Sequence, residues 1–78
     1  MKKRNEVEIV SDILELCLEG SLKTTVVYKV NLNFQMFDRY FVSLKEKGLL
    51  VKEGKLFKTT ELGREVLSQI GGLIQFLR

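Results

Sequence analysis

Residues 23–48 read KTTVVYKVNLNFQMFDRYFVSLKEKG, and this stretch decides the fold. Residues 23–30 predict a short helix that Thr24 or Thr25 would cap. Val26, Val27 and Val30 are poor helix formers, so tertiary packing has to support it. Asn31-Leu32-Asn33 then breaks the pattern. Asn31 tolerates the left-handed conformation that ends a helix, and Leu32 can plug the gap between elements. Asn33 is a good N-cap for a following helix. That helix is predicted over 34–47, with Phe34, Phe37, Phe41 and Leu44 as its buried stripe and Tyr40 at the edge. Burial is also expected for the Tyr28 ring, the alternative being an outward hydroxyl that holds a phosphate. Gly48 closes the unit. A three-residue connection between two short helices is a tight helix-turn-helix.

Outward from this unit, residues 5–19 predict an amphipathic helix. Val10, Ile13, Leu14 and Cys17 form one face, and Glu8, Asp12, Glu15 and Glu19 the other, before Gly20 stops it. On the C-terminal side, residues 49–58 change period. Leu49-Leu50-Val51 opens a strand, Glu53-Gly54-Lys55 makes a turn and Leu56-Phe57-Lys58 returns, which predicts a two-stranded hairpin. Thr60 is the expected N-cap of a last helix over 60–78, with Glu61 favourable in its first turn. Gly71-Gly72 would cost that helix about 1 kcal/mol per glycine.

The 78 residues fit one domain, 1–78. Cys17 is the single cysteine, so no internal disulfide can form, and among leucines it reads as a buried small hydrophobe. No run is long enough to span a membrane. Met1-Lys2-Lys3-Arg4 resembles the start of an export signal, but Glu6, Glu8, Asp12 and Glu15 interrupt it, so a cytoplasmic location is expected. With no histidine, one buried cysteine, no acidic cluster beside a nucleophile and no glycine-rich phosphate loop, an enzyme is not expected. Nor is a cofactor, a metal or a small-molecule ligand.

The net charge of +3 is unevenly spread. Residues 1–20 carry a balance of −2, residues 21–58 carry +5 and residues 59–78 are neutral. A basic segment on a balanced domain is the footprint of a polyanion binder. The order helix, helix, turn, helix, hairpin, helix is the layout of a winged helix-turn-helix, an α+β fold that is mainly α. In that layout the third helix enters the DNA major groove and the hairpin reaches the adjacent backbone or minor groove.

On this reading Gln35, Met36 and Arg39 face the bases. Arg39 suits a guanine edge and Gln35 an adenine edge. The alternative for Arg39 is a surface ion pair with Asp38 or Glu46, and for Met36 a place at the edge of the core. Lys23, Thr24, Thr25 and Lys29 would hold phosphates, as would Lys52, Lys55 and Lys58 of the wing, with Asn33 grouped among the DNA-facing residues. The apolar set Val66, Leu67, Ile70, Leu73, Ile74 and Leu77 exceeds what a peripheral helix needs. It reads as a homodimer interface that would present two half-sites, with Gly71 and Gly72 permitting close approach. The alternative is that this tail folds onto the chain's own first helix. A protein–protein docking module, or sequence-independent DNA packaging, are the rival functions.

The sequence also resembles the archaeal winged-helix DNA-binding proteins, a group of small dimeric regulators and chromatin-type proteins that includes viral regulators. The resemblance runs through Lys23 to Asn33, then Tyr40-Phe41, Leu44, Glu46-Lys47-Gly48-Leu49-Leu50 and Thr60-Glu61-Leu62-Gly63-Arg64. It implies binding of double-stranded DNA and a homodimer formed through the C-terminal helix. Gly71-Gly72 and the end at Arg78 depart from members with a long C-terminal coiled coil.

Overall fold

The computed structural model describes residues 5–77, with side chains described for 5–72. Helix α1 (Glu6–Leu16) begins at Asn5, whose side chain accepts from the Glu8 backbone N–H at 2.8 Å. Glu6 and Glu8 stand in its first turn, where the helix dipole favours acids. Its buried face carries Ile13 and Leu14, and Cys17 follows in the turn just beyond it. The helix ends three residues before the expected 19, because Cys17–Glu19 already turn the chain toward a strand.

That strand, β1 (Ser21–Leu22), is a departure from the expected two-stranded wing. It pairs antiparallel with β3 (Leu56–Thr59), which also pairs with β2 (Leu50–Glu53), so the sheet has three strands in the order β1-β3-β2. Two residues are too few to show an alternation in sequence. The hairpin turn is Gly54-Lys55, with Gly54 at φ 61° and Lys55 not left-handed. This is the pattern of a type II′ turn, which matches strand twist and favours glycine at its first position.

Helix α2 (Lys23–Val30) has the predicted span, but neither Thr24 nor Thr25 caps it. The chain enters the helix straight from β1, so extended Leu22 holds the cap position and both threonines fall inside the first turn. At the other end Asn31 adopts φ 62°, ψ 49°. The Leu32 N–H donates to Val27 O at 2.9 Å and the Asn31 N–H to Tyr28 O at 3.3 Å, which is a Schellman stop. Asn33 then caps α3 (Phe34–Glu46), accepting from the Met36 N–H at 2.7 Å. Helix α3 ends by the same device. Gly48 is at φ 76°, and the Leu49 N–H donates to Leu44 O at 2.8 Å.

The core gathers Ile13, Leu14, Cys17, Val26, Phe37 and Leu50, all fully buried. Phe57 of β3 meets Phe37 and Phe41 edge-on, with centroids 5.0 and 4.9 Å apart, and so locks α3 to the sheet. Buried Thr59 donates from Oγ1 to Leu14 O at 2.7 Å. Two expected core aromatics are outside. Phe34 is half exposed and Tyr28 is 86% exposed. Phe34 opens α3 one turn beyond the sheet contact, and Tyr28 lies off the Val26-Val27-Val30 face of α2.

Helix α4 (Glu61–Leu77) starts at Thr60, as expected. Thr60 Oγ1 accepts from the Gly63 N–H at 3.0 Å and donates to Gly48 O at 2.6 Å. The Arg64 guanidinium donates to Leu18 O at 3.0 Å and to the Glu19 carboxylate at 3.3 Å, closing the turn after α1. The helix runs without a break through Gly71 and Gly72. It packs mainly on α1, and Val66 and Leu67 rest against the core. No helix among the described residues is long and apolar enough to cross a membrane.

Candidate nucleic-acid interface

Helix α3 turns Phe37 and Leu44 into the core, which leaves the opposite face to solvent. Gln35, Arg39 and Val42 recur there at helical spacing and are all exposed. Among the described residues Arg39 has no ion pair, because Asp38 is engaged elsewhere. Asn33 is exposed, and its side-chain oxygen is committed to the cap. Met36 sits on the flank instead. With Arg39, Tyr40 and Ser43 it lines a shallow pocket that reaches Glu6 of α1.

Beside this face runs a groove bounded by α3, the start of α2 and the sheet. Lys23, Thr24, Lys52 and Lys55 line it, together with Asp38 and the rings of Phe41 and Phe57. The hairpin register explains why Lys52 belongs to it. Lys52 stands opposite Phe57, so both point to the α3 side of the sheet. Its ammonium lies 5.6 Å from the Phe57 ring centroid, and that of Lys45 lies 5.8 Å from Phe41. Lys58 stands opposite Val51 and alternates with inward Phe57, so it projects from the other face of the sheet.

Lys29 also falls outside the groove. It shares a separate cleft with Asp12 and Glu15 of α1, where the acidic face of that helix meets the end of α2. Thr25 is half-buried and lines neither. The groove thus brings together Lys23, Thr24, Lys52 and Lys55, and separates them from Thr25, Lys29 and Lys58.

Three further residues belong to this surface. Exposed Tyr28 and half-exposed Phe34 line a second cleft that shares Thr24 with the groove. Val42, 54% exposed, sits one turn after Arg39 on the outward face of α3. Its spacing from Gln35 and Arg39 is visible in the sequence. The exposure of Tyr28 has no such signal.

Of the apolar set on α4, Val66, Leu67 and Ile70 are half-buried against the chain itself. The side chains of Leu73, Ile74 and Leu77 lie outside the described residues, as does the charged start 1–4. Cys17 is fully buried, and burial pushes its thiol up to about 11.

A family model described as winged helix-turn-helix matches residues 3–77. An uncharacterized protein of the archaeon Methanocaldococcus jannaschii is 32% identical over 76 residues, covering 96% of this chain and 78% of the relative. The match takes in every element described above, from α1 through the helix-turn-helix and the wing to α4, and it points to DNA binding. On the fold, the geometry and both likenesses, the chain belongs to the winged helix-turn-helix family.

Proposed function

We propose that this chain binds double-stranded DNA as a transcription regulator, with α3 in the major groove and the wing on the flanking backbone. The observation that carries the reading is the groove in which Lys52 and Lys55 of the wing meet Thr24 at the start of α2, directly beside the exposed face of α3. A duplex seated on α3 would run its phosphates past these groups. Gln35 and Arg39 offer the bidentate donors that read adenine and guanine, and Val42 an apolar contact suited to a thymine methyl. The Tyr28 hydroxyl reaches the backbone on the far side of Thr24. Lys29 and Lys58, turned to other faces, are left out of the contact.

The protein would act as a homodimer through α4, reading two half-sites, in the cytoplasm and without catalysis. Continuity of α4 through Gly71 and Gly72 supports this, since a Cβ at either position would meet nothing within 4 Å of the chain's own atoms. A docking module is the second reading. It is favoured by Leu22 and Leu56, which stand opposite each other on the outer face of the sheet and are each nearly half exposed.

Fluorescence anisotropy on a random duplex across a salt series tests the proposal. Lys55→Ala is expected to reduce the slope of log affinity against log salt by about one unit, as loss of one phosphate contact does. Arg39→Ala is expected to relax preference in a selected-site experiment, whereas a sequence-independent packaging protein would show no preference to lose. Absence of binding at low salt would favour the docking reading.

A further inference from the structure

Among the described residues the groove holds one acid. Asp38 points from the flank of α3 across to the start of α2, and its Oδ1 lies 2.6 Å from Lys23 Nζ. The same ammonium stands 5.5 Å from the Phe34 ring centroid and 5.9 Å from that of Phe37. Lys23 is therefore neutralised on one side and flanked by aromatic rings on the other. Lys52 and Lys55, which line the same groove, have no ion-pair partner among the described residues.

The pair does little for the fold. Both side chains are more than a third exposed, and exposed pairs of this kind contribute little to stability. Its effect on an arriving phosphate is larger. A lysine contributes to nucleic-acid affinity by replacing the counterions condensed on the strand. A lysine that already carries a carboxylate adds no net charge, and the carboxylate repels the phosphate. An acid in a basic groove thus lowers affinity for every duplex alike, and leaves discrimination to the base-reading face beside it.

We propose that Asp38 is an affinity-setting residue that withholds Lys23 from the DNA backbone. By keeping Lys23 as an internal ion pair, it depresses backbone-driven binding to any duplex. This rests on the DNA-binding reading above. The duplex backbone is the ligand, and Lys52 and Lys55 supply the phosphate contacts that Lys23 does not.

The test is a double-mutant cycle on a random duplex, read by anisotropy between about 50 and 200 mM salt, a range over which phosphate contacts dominate the change in affinity. Circular dichroism confirms that each variant is folded. Asp38→Asn should steepen the salt slope by about one unit, because Lys23 is freed to meet a phosphate. If the gain vanishes near molar salt, that slope corresponds to binding about twentyfold tighter at 50 mM and about fivefold tighter at 200 mM. Lys23→Gln bares the Asp38 carboxylate and should weaken binding, whereas the double variant, whose groove charge equals the parent's, should keep the parent's slope.

The proposal is overturned if the double variant shows a flatter slope than the parent, since Lys23 would then already hold a phosphate. It is also overturned if Asp38→Asn gains as much without Lys23 as with it. Lys52→Gln separates the two levels of the argument. If the parent binds, Lys52→Gln flattens the slope and Asp38→Asn changes nothing, only the role of Asp38 falls. If the parent shows no salt-dependent binding, the DNA reading falls and the role of Asp38 with it.

Discussion

Replacing Gly63 with alanine tests how the last helix is joined to the rest of the fold. A Cβ at Gly63 would stand 2.3 Å from the Leu49 carbonyl oxygen and 2.6 Å from Thr59 Cγ2. Neither neighbour can yield cheaply. Leu49 O accepts from the Thr60 N–H at 3.0 Å, and Thr59 is buried with its hydroxyl bonded to Leu14 O. Relief needs a shift of roughly 1 Å at the start of α4 to reach ordinary contact. Overpacking of this kind costs about 1–3 kcal/mol. Straining the Thr60–Leu49 bond adds about 1 kcal/mol. The better helix propensity of alanine returns about 1 kcal/mol. The net expectation is a loss of about 2 kcal/mol, which for a domain of this size lowers Tm by about 8–16 °C. Urea unfolding at fixed protein concentration measures it, with an unchanged slope confirming that stability alone moved. For a monomer Gly72→Ala is the control, because none of the chain's own atoms lies within 4 Å of its Cβ and it should be neutral or stabilising by up to about 1 kcal/mol. If Gly63→Ala unfolds no more easily than the parent, the close approach is not real.

Thr60→Ala removes both the cap on Gly63 N–H and the bond to Gly48 O. It should cost about 1–2 kcal/mol in urea unfolding. The buried Cys17 thiol should resist modification by a disulfide reagent near pH 8 until the protein unfolds. Its raised value near 11 means the folded state holds the proton more tightly than the unfolded chain does. The stability it contributes is therefore complete below about pH 8.5 and falls away as pH rises toward 11, by about 2 kcal/mol, which pH-dependent unfolding of the parent against Cys17→Ala would detect. If α4 forms a dimer, Ile70→Glu should shift sedimentation from dimer to monomer. A parent that already sediments as a monomer would refute that interface.

Much of the fold was legible because its punctuation is chemical. Asn31, Asn33, Gly48, Gly54 and Thr60 each do in the structure what their residue type suggests, and they bound α2, α3, the wing and α4. The Thr60-Glu61-Leu62-Gly63-Arg64 run, first a mark of resemblance, proves to be a joint. Thr60 caps, Gly63 admits Leu49 O, and Arg64 closes the turn after α1. What was hidden depends on contacts distant in sequence. Strand β1 exists only because β3 pairs with it. Phe34 and Tyr28 are apolar enough to read as core, yet their places on α3 and α2 miss the packed faces.

The site was legible in kind and less so in membership. Lysine content located the basic segment, but only the pairing of Lys52 with Phe57 and of Val51 with Lys58 sends Lys52 and Lys58 to opposite faces. With the turn fixed at Gly54-Lys55, that separation follows from alternation. The approach of Asp38 to Lys23 does not, because it needs α2 and α3 folded against each other. The sequence offered Asp38 or Glu46 as a partner for Arg39 only as the alternative to base contact. The structure leaves Arg39 without an ion pair on the outward face of α3.

Amide chemical-shift mapping during titration with a short duplex shows whether α3 and the groove beside it receive DNA. Perturbations are expected to cluster at Thr24, Gln35, Arg39, Val42, Lys52 and Lys55, with Lys29 and Lys58 quiet. Perturbations centred on Lys29 and α1, or on the outer sheet face at Val51 and Leu56, or none at all, would rule that interface out.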